Sequence, residues 1–160
     1  MIAPRGRSSG FTLLELLVVL VIMGLFAGLV SALVRPDERT LLRTEAERLA
    51  QLLELASTEA SISGKAIAWT ADAGDYRFWQ YRSNVGWQEI GGNSLLHPRT
   101  LPEGMVIEAL TIDTVPIQGR MRLEFGYYGS TPSYAIRMGM GAERYWVTGS
   151  PVGDMKAAPG

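Results

Sequence analysis

The sequence predicts an α+β protein in which a long N-terminal helix precedes an antiparallel β-sheet domain. Three observations support this prediction. Residues 11–34 are almost entirely apolar, residues 37–63 carry apolar side chains at helical spacing, and after Gly64 the apolar pattern changes to a period of two with frequent turn residues. A helical segment followed by a series of strands is the order of elements that α+β domains show.

The composition restricts the classes of function. The chain has 160 residues, which is enough for one domain. Its 15 basic and 16 acidic side chains give a net charge of -1, so there is no overall positive field to attract nucleic acid. There are no cysteines, which excludes disulfides, thiolate metal sites and a cysteine nucleophile.

The apolar run has the length of a membrane-spanning helix. No residue between Leu16 and Val34 is charged. With Phe11–Leu14 added, the run reaches the roughly 20 residues that a helix needs to cross a bilayer core. Arg5 and Arg7 precede it, and positive residues before a span favour a cytoplasmic N-terminus.

A secretory signal peptide is the alternative interpretation of this segment. The apolar stretch is longer than the usual signal core of roughly 7–15 residues, and no A-x-A-like cleavage site follows it. Glu15 also lies inside the apolar stretch. A carboxylate in hydrocarbon costs about 2.5–3.5 kcal/mol on insertion scales and is by default a functional, partnered group. These features favour a helix that the mature protein keeps.

The residues around Glu15 resemble a known processing signal. The string Gly10-Phe11-Thr12-Leu13-Leu14-Glu15, with the apolar run that follows it, is similar to the type IV prepilin signature, which type IV pilins share with the pseudopilins of type II secretion. The resemblance implies a type IV pilin-like fold. It also implies that a prepilin peptidase cuts between Gly10 and Phe11 and methylates the new amine of Phe11.

This resemblance explains why a carboxylate lies within the apolar run. Glu15 becomes the fifth residue of the mature chain, one helical turn from the Phe11 amine, and both charges are poorly solvated in lipid. We expect Glu15 to pair with the Phe11 amine of a neighbouring subunit when filaments assemble, because such a pair is far stronger at low dielectric than in water. The pair would set the axial register between subunits.

The remaining sequence divides into helical and strand segments. The predicted segments are a leader at 1–10, a transmembrane and assembly helix at 11–34, an amphipathic helix at 35–64, a periplasmic β domain at 65–148 and a flexible tail at 149–160. Pro36 either starts a helical turn or kinks a continuous helix, and Gly64 is the predicted helix terminator. The apolar stripe of the amphipathic helix, which we expect to pack on the sheet, consists of Leu42, Ala46, Leu49, Leu53, Ala56 and Ala60. The predicted strands are 67–70, 76–81, 87–90, 106–112, 121–125, 134–138 and 144–147.

Short motifs in the globular part resemble one branch of the pilin-like proteins. They occur in the order Leu52–Ala60, Gly64-Lys65, Gly74–Phe78, Gly86-Trp87, Leu101–Gly104 and Phe125–Pro132. This order is similar to that of minor pseudopilin H of type II secretion, except that Tyr127 stands where that family usually has a proline. The resemblance implies a structural subunit near the tip of a periplasmic pseudopilus that supports export of folded proteins across the outer membrane.

The resemblance also implies a location and a set of partners. The protein is expected in the bacterial inner membrane as a single-pass protein with its C-terminal domain in the periplasm. Its implied partners are the other pseudopilins of the filament, major and minor, the prepilin peptidase and the inner-membrane assembly platform. No cofactor and no metal is implied.

A minor type IV pilin that serves pilus assembly, adhesion or DNA uptake is a second possible function. A DNA receptor needs a basic strip that releases counterions from phosphate. Arg77 and Arg82 flank Phe78, Trp79 and Tyr81, a pattern that also suits stacking on bases. In a meander of strands, however, such positions usually hold core aromatics and solvated arginines, so nucleic acid is not the favoured partner.

An enzyme anchored by an N-terminal helix is the third class considered. The single histidine, His97, lies in a loop, and the chain has no G-x-S-x-G motif and no His/Asp/Glu cluster at metal-ligand spacing. Asp72 and Asp75 flank a tight turn, where aspartate is favoured for its backbone hydrogen bonds, with calcium binding as the alternative. The sequence therefore identifies no catalytic residue.

Overall fold

The computed structural model describes residues 12–33, 37–126, 131–151 and 154–160, with the side chains of the first segment described as far as Leu29. Residues 1–36 and 37–160 form two compact units, and each is described by itself. Gly10, Phe11 and Pro36 lie outside the described residues, as does Tyr127.

The first unit contains one described helix, α1, which runs from Leu13 to Leu33. Its large apolar side chains between Leu13 and Leu29 are exposed to 44–86% of their full area. Among the helices of the described residues, none has the combined length and apolar character needed to cross a membrane.

The second unit begins with helix α2, Glu38–Ser63, and both of its ends are capped. Asp37 has an extended backbone, its Oδ1 accepts the Arg39 N–H at 3.3 Å, and its Oδ2 accepts the Thr40 hydroxyl at 3.0 Å. At the other end Gly64 adopts the left-handed conformation with φ 64°, as a C-terminal glycine should. The long N-terminal helix is thus described in two parts, and α2 has an N-cap of its own.

The predicted apolar stripe of α2 is confirmed. Its members, which are all fully buried, are Leu42, Ala46, Leu49, Leu53, Ala56 and Ala60. The stripe faces a core formed with both sheets of the unit, and its small alanines let the strands approach the helix closely. The largest fully buried side chains are Trp69, Tyr76, Phe78 and Phe125.

Two antiparallel sheets follow α2 in the described residues. The strands are β1 Ile67–Ala71, β2 Asp75–Arg82, β3 Gly86–Glu89, β4 Arg99–Thr100, β5 Met105–Ile112, β6 Val115–Pro116, β7 Met121–Phe125, β8 Tyr134–Met140, β9 Glu143–Gly149 and β10 Met155–Pro159. The first sheet has the order β3-β2-β1-β7, with β4 also paired to β2, and the second has the order β10-β9-β8-β5-β6. All seven predicted strands are confirmed, and the two-residue strands β4 and β6 were not predicted.

The prediction of a flexible tail at 149–160 is wrong for residues 155–159. Met155–Pro159 forms β10, which pairs with β9 from Met155 opposite Gly149 to Pro159 opposite Tyr145. Met155 and Ala157 pack against the core, whereas the alternate residues are exposed. A strand of alanine, lysine and proline has low intrinsic β propensity, and its proline is tolerated because β10 is an edge strand.

Candidate functional site

The described part of the N-terminal motif is the first turn of α1. The Oγ1 of Thr12 accepts the backbone N–H of Glu15 at 3.3 Å, and the carbonyl of Thr12 accepts the N–H of Leu16 at 3.2 Å. This is the hydrogen bonding of a helix N-cap. Thr12 and Glu15 also have the Thr-x-x-Glu spacing of a capping box, a local signal that our sequence analysis missed.

Glu15 therefore occupies a position that a helix favours for a carboxylate. It lies in the first turn of α1, where the partial positive charge of the helix N-terminus stabilises an anion. Its side chain is exposed and forms no hydrogen bond or ion pair with the described residues. Gly10 and Phe11, the predicted residues of cleavage and methylation, lie outside the described part of the chain.

The apolar side chains along α1 are exposed. Between Leu13 and Leu29 the apolar side chains point outward in every direction, and none is buried. An apolar surface of this extent is typical of a segment that is covered by a membrane or by other chains.

Asp72 and Asp75 make their contacts within the predicted turn and the strand that follows it. The Asp72 N–H donates to the Asp75 carbonyl at 3.0 Å, and the Asp75 carboxylate lies 3.9 Å from the guanidinium of Arg77. Within the described residues no three acidic, histidine or cysteine side chains are grouped so that they could hold a metal ion. His97 is exposed, and its Nδ1 lies 3.0 Å from the Ser94 carbonyl, a contact within its own loop.

The aromatic residues of β2 are divided between its two faces. Phe78 is fully buried, as expected for a core aromatic. Tyr81 is exposed to 44% of its area, and Trp79 lies half-buried on the same outer face, so for these two residues the interpretation as core aromatics is wrong. Arg77, whose side chain is also on this face, is exposed to 48%.

Among the described residues, three ionisable groups have shifted pKa values, and all three are tyrosines or an arginine whose pKa values rise further above neutral pH. Burial raises the pKa of Tyr76 to about 12, and burial likewise raises the pKa of Tyr134 above its ordinary value. The hydroxyl groups of both tyrosines lack a hydrogen-bond partner among the described residues. The carboxylate of Glu47 raises the pKa of Arg43 through a hydrogen bond at 2.7 Å. These shifts provide no group suited to acid–base catalysis at pH 7.

Comparison with known proteins gives two matches to family sequence patterns. The prokaryotic N-terminal methylation motif matches residues 5–31, and Type II transport protein GspH matches residues 45–153. Type II secretion system protein H of Vibrio cholerae serotype O1 is 32% identical over 101 residues, which is 62% of this chain and 52% of that protein. The match thus spans about half the length of this relative.

Solved structures share the fold. The minor pseudopilin EpsH from the type II secretion system of Vibrio cholerae superimposes with a TM-score of 0.66 at 19% identity, covering 78% of this chain and 98% of that one. A second structure of EpsH gives 0.59 at 21%, with 77% and 98% covered. The type IV minor pilin FimU of Pseudomonas aeruginosa gives 0.51 at 16%, with 76% and 91% covered. At these identities the likeness shows the fold alone.

The fold and the methylation motif define a type IV pilin-like protein. The predicted fold class is thereby confirmed. Because the GspH pattern covers more than half of its residues, the chain belongs to the family of Type II transport protein GspH, the minor pseudopilins of type II secretion.

Proposed function

We propose that this chain is a structural subunit near the tip of the type II secretion pseudopilus, where it supports export of folded proteins across the outer membrane. The observation that carries the proposal is the presence, in one chain, of the methylation motif at residues 5–31 and the GspH pattern at residues 45–153. The chain acts by assembly and has no chemistry of its own. Its partners are the other pseudopilins, the prepilin peptidase and the inner-membrane assembly platform.

Processing of the N-terminus is the first step of this function. The prepilin peptidase cleaves between Gly10 and Phe11 and methylates the amine of Phe11. Support comes from the string Gly10–Glu15 in the sequence and from the match of residues 5–31 to the methylation motif.

Residues 11–34 then anchor the subunit in the inner membrane, with residues 37–160 in the periplasm. This span extends beyond the described residues at both of its ends. Its support is the uncharged sequence from Leu16 to Val34, together with the outward apolar side chains that the structure describes as far as Leu29. A segment of this length satisfies the requirement of a bilayer core.

Glu15 pairs with the Phe11 amine of a neighbouring subunit during assembly. The Glu15 side chain is exposed and has no hydrogen bond or ion pair with the described residues, which leaves the carboxylate available for a partner outside the chain. An unpaired carboxylate in an apolar filament core would be strongly destabilising, so the pair favours one axial offset between subunits.

A minor type IV pilin is the second candidate. It is supported by the shared fold with the minor pilin FimU, at a TM-score of 0.51. In that case the chain would serve pilus assembly, adhesion or DNA uptake.

Deletion of the gene in the producing bacterium tests the choice between the two functions. We expect the exported proteins to accumulate in the periplasm and to return to the medium when the full chain is supplied from a plasmid. A periplasmic marker enzyme, measured in both fractions, controls for leakage. Unchanged export together with loss of pili, adhesion or DNA uptake would instead identify a minor pilin.

A further inference from the structure

The outermost strand of the second sheet, β10, pairs with β9 and with no other described strand. The Asp154 carbonyl accepts the Ser150 N–H at 3.1 Å, and the Gly160 N–H donates to the Arg144 carbonyl at 2.9 Å. Along an antiparallel strand, residues whose peptide groups face one neighbour alternate with residues whose peptide groups face the other side. The even-numbered residues from 154 to 160 therefore direct their N–H and C=O groups toward β9.

The odd-numbered residues of β10 leave a free edge. Met155 and Ala157 each direct an N–H and a C=O away from β9, whereas Pro159 directs only a C=O, because proline has no N–H. None of these groups has a backbone partner within the described part of the chain. An unpaired strand edge of this kind is a template for pairing with another extended segment.

A groove of about 200 Å³ lies between β10 and helix α2. We call it the β10 groove, and its lining residues are Glu47, Ala50, Gln51, Glu54, Met155 and Ala157. The two lining residues of β10 are the ones whose N–H groups face outward, and their side chains are half-buried. A strand that is added to the edge of β10 would direct every second side chain to the same face of the sheet, and so toward this groove.

The rim of the β10 groove is acidic. Glu47 and Glu54 are its only charged lining residues. Glu47 is bonded to Arg43 at 2.7 Å, whereas Glu54 is exposed and forms no ion pair with any described residue. Lys156 lies on the opposite face of the sheet, because it alternates with the two lining residues of β10. Two carboxylates and one guanidinium leave a net charge of -1, so the groove is complementary to a basic side chain.

A second copy of the same strand is a poor occupant of this edge. Two copies that pair β10 with β10 about a twofold axis bring both α2 helices to the same face of the joined sheet. The acidic rims of the two grooves would then face each other, and like charges that are opposed in this way are destabilising. Pro159 also cannot donate to such a ladder. The edge therefore favours a segment of another protein that carries positive charge.

The other strand edges of the described sheets lack this combination. β6 has two residues, one of which is Pro116, and β7 lies beside β5 of the second sheet. The hollow next to β3 is lined by Arg82 as well as by Glu59 and Glu89, so its charges are mixed. Among the described edges, only that of β10 joins free N–H donors to a groove without a basic lining residue.

We propose that the edge of β10 takes up an extended segment of a neighbouring pseudopilin, which adds to the second sheet as a further strand and places a lysine or arginine against Glu54. This inference rests on the proposed function, which supplies pseudopilins as neighbours. Hydrogen bonds to the backbone of Met155 and Ala157 hold the segment, and the groove selects its alternate side chains, as in other cases of strand addition.

Photo-crosslinking in the producing bacterium tests the inference on the full chain. p-Benzoylphenylalanine replaces Gln51 at the rim of the groove, and the same probe at the exposed Thr148, on the outer face of the second sheet, is the control. We expect an adduct with another pseudopilin from position 51 and not from position 148. Equal adducts from both positions, no adduct, or an adduct only with an exported protein or a second copy of this chain overturns the inference.

Charge variants test the basic residue of the partner segment. Glu54→Lys should reduce the adduct at least about tenfold, because a reversed charge both removes the ion pair and adds repulsion. Glu54→Gln, which only removes the charge, should reduce it less. The matched control is Glu103→Lys, the same change at an exposed carboxylate between β4 and β5, and it should leave the adduct unchanged. An adduct that Glu54→Lys does not reduce contradicts the proposal.

A proline variant separates strand addition from a contact of side chains alone. Ala157→Pro removes an N–H that faces away from β9, so the pairing of β10 with β9 keeps all its donors, and the adduct should still fall about tenfold. An immunoblot of the full chain in the membrane fraction shows whether the variant folds. An unchanged adduct at a normal chain level rules out strand addition. If the proline variant is degraded, the comparison of Glu54→Lys with Glu103→Lys decides.

Export measured in the same strains distinguishes this inference from the proposed function. If the unaltered chain restores export while position 51 gives no adduct, the proposed function stands and strand addition alone fails. If the unaltered chain does not restore export, the proposed function fails, and the inference that rests on it fails too.

Discussion

The ring of Tyr134 in β8 lies directly against Gly149, its partner residue in β9. A β-carbon at position 149 would overlap atoms of the ring, including the hydroxyl oxygen. The glycine is needed for space and not for an unusual backbone angle, because its φ lies outside the left-handed region. The pair explains how a large aromatic side chain is buried between two strands and against the core.

Gly149→Ala should destabilise the domain. The added methyl group must displace a buried ring, and overpacking of this kind costs about 1–3 kcal/mol. Urea denaturation followed by tryptophan fluorescence measures the change in the free energy of unfolding. The matched control is Gly91→Ala, where an added β-carbon has no atom within 4 Å and a change within about 0.5 kcal/mol is expected. Equal stability of the two variants would contradict the described packing.

Alkaline pH should weaken the fold through Tyr76. Burial raises its pKa from 10.0 to about 12, so between these values the folded state keeps a proton that the unfolded state loses. The stability that the buried, protonated Tyr76 contributes is therefore fully present below pH 10 and is lost as the pH rises toward 12. Denaturation midpoints measured from pH 8 to 11.5 should fall above pH 10, and Tyr76→Phe should flatten this fall. An unchanged slope in the variant would assign the effect to other groups.

Thr114→Gly should stabilise the domain. Thr114 and Asp113 form the tip of the β5–β6 hairpin with φ values of 69° and 46°, a conformation that is costly for a β-branched residue. At Asp113 the cost of the positive φ is offset by a hydrogen bond, because its Oδ1 accepts the Ser133 N–H at 3.0 Å. The strain that glycine relieves at position 114 is larger than the entropy that glycine adds to the unfolded chain. We therefore expect the free energy of unfolding, measured by thermal denaturation, to rise by about 0.5–1 kcal/mol. Thr114→Val, which keeps the branched side chain, should give no gain.

Removal of the last strand should lower the free energy of unfolding more than removal of a disordered tail would. A chain ended after Ser150 loses β10, leaves the outer edge of β9 unpaired and exposes the core residues that Met155 and Ala157 cover. Its urea midpoint should fall clearly below that of the full chain, and hydrogen exchange of the β9 amides should accelerate. A chain that lacks only Gly160, the residue after β10, is the control, and an equal midpoint for the two truncations would show that β10 adds nothing.

Glu15→Ala and Glu15→Gln separate the two roles of this residue. Glutamine keeps the capping-box geometry with Thr12 but removes the charge that the Phe11 amine would require. We expect both variants to be processed normally and both to be depleted from sheared filaments, measured by immunoblot against the major subunit. Normal incorporation of the glutamine variant would leave helix capping as the role of Glu15. Normal incorporation of both would contradict any role in assembly.

Local pattern explains which parts of the fold were predictable. The stripe of α2 repeats at helical spacing from Leu42 to Ala60 in a helix of 26 residues, and its members face the core as predicted. The alternation in Met121–Phe125 marks β7 to the residue. The N-terminal motif is a local string as well, and so the family prediction, which the GspH pattern confirms, needed no knowledge of distant contacts.

By itself, the sequence determined the order of helix and strands, the buried stripe of α2 and the family, because each is encoded by neighbouring residues through a fixed period or an ordered motif. Only the tertiary structure decided the rest. β10 forms because β9 offers an edge and α2 offers a surface, and nothing in its own residues predicts it. On the outer face of the first sheet, Trp87 of β3 and Arg122 of β7 likewise meet across 35 residues of sequence. Strand pairing is non-local, and a pattern that is read along the chain cannot report which side chains the folded sheets bring together.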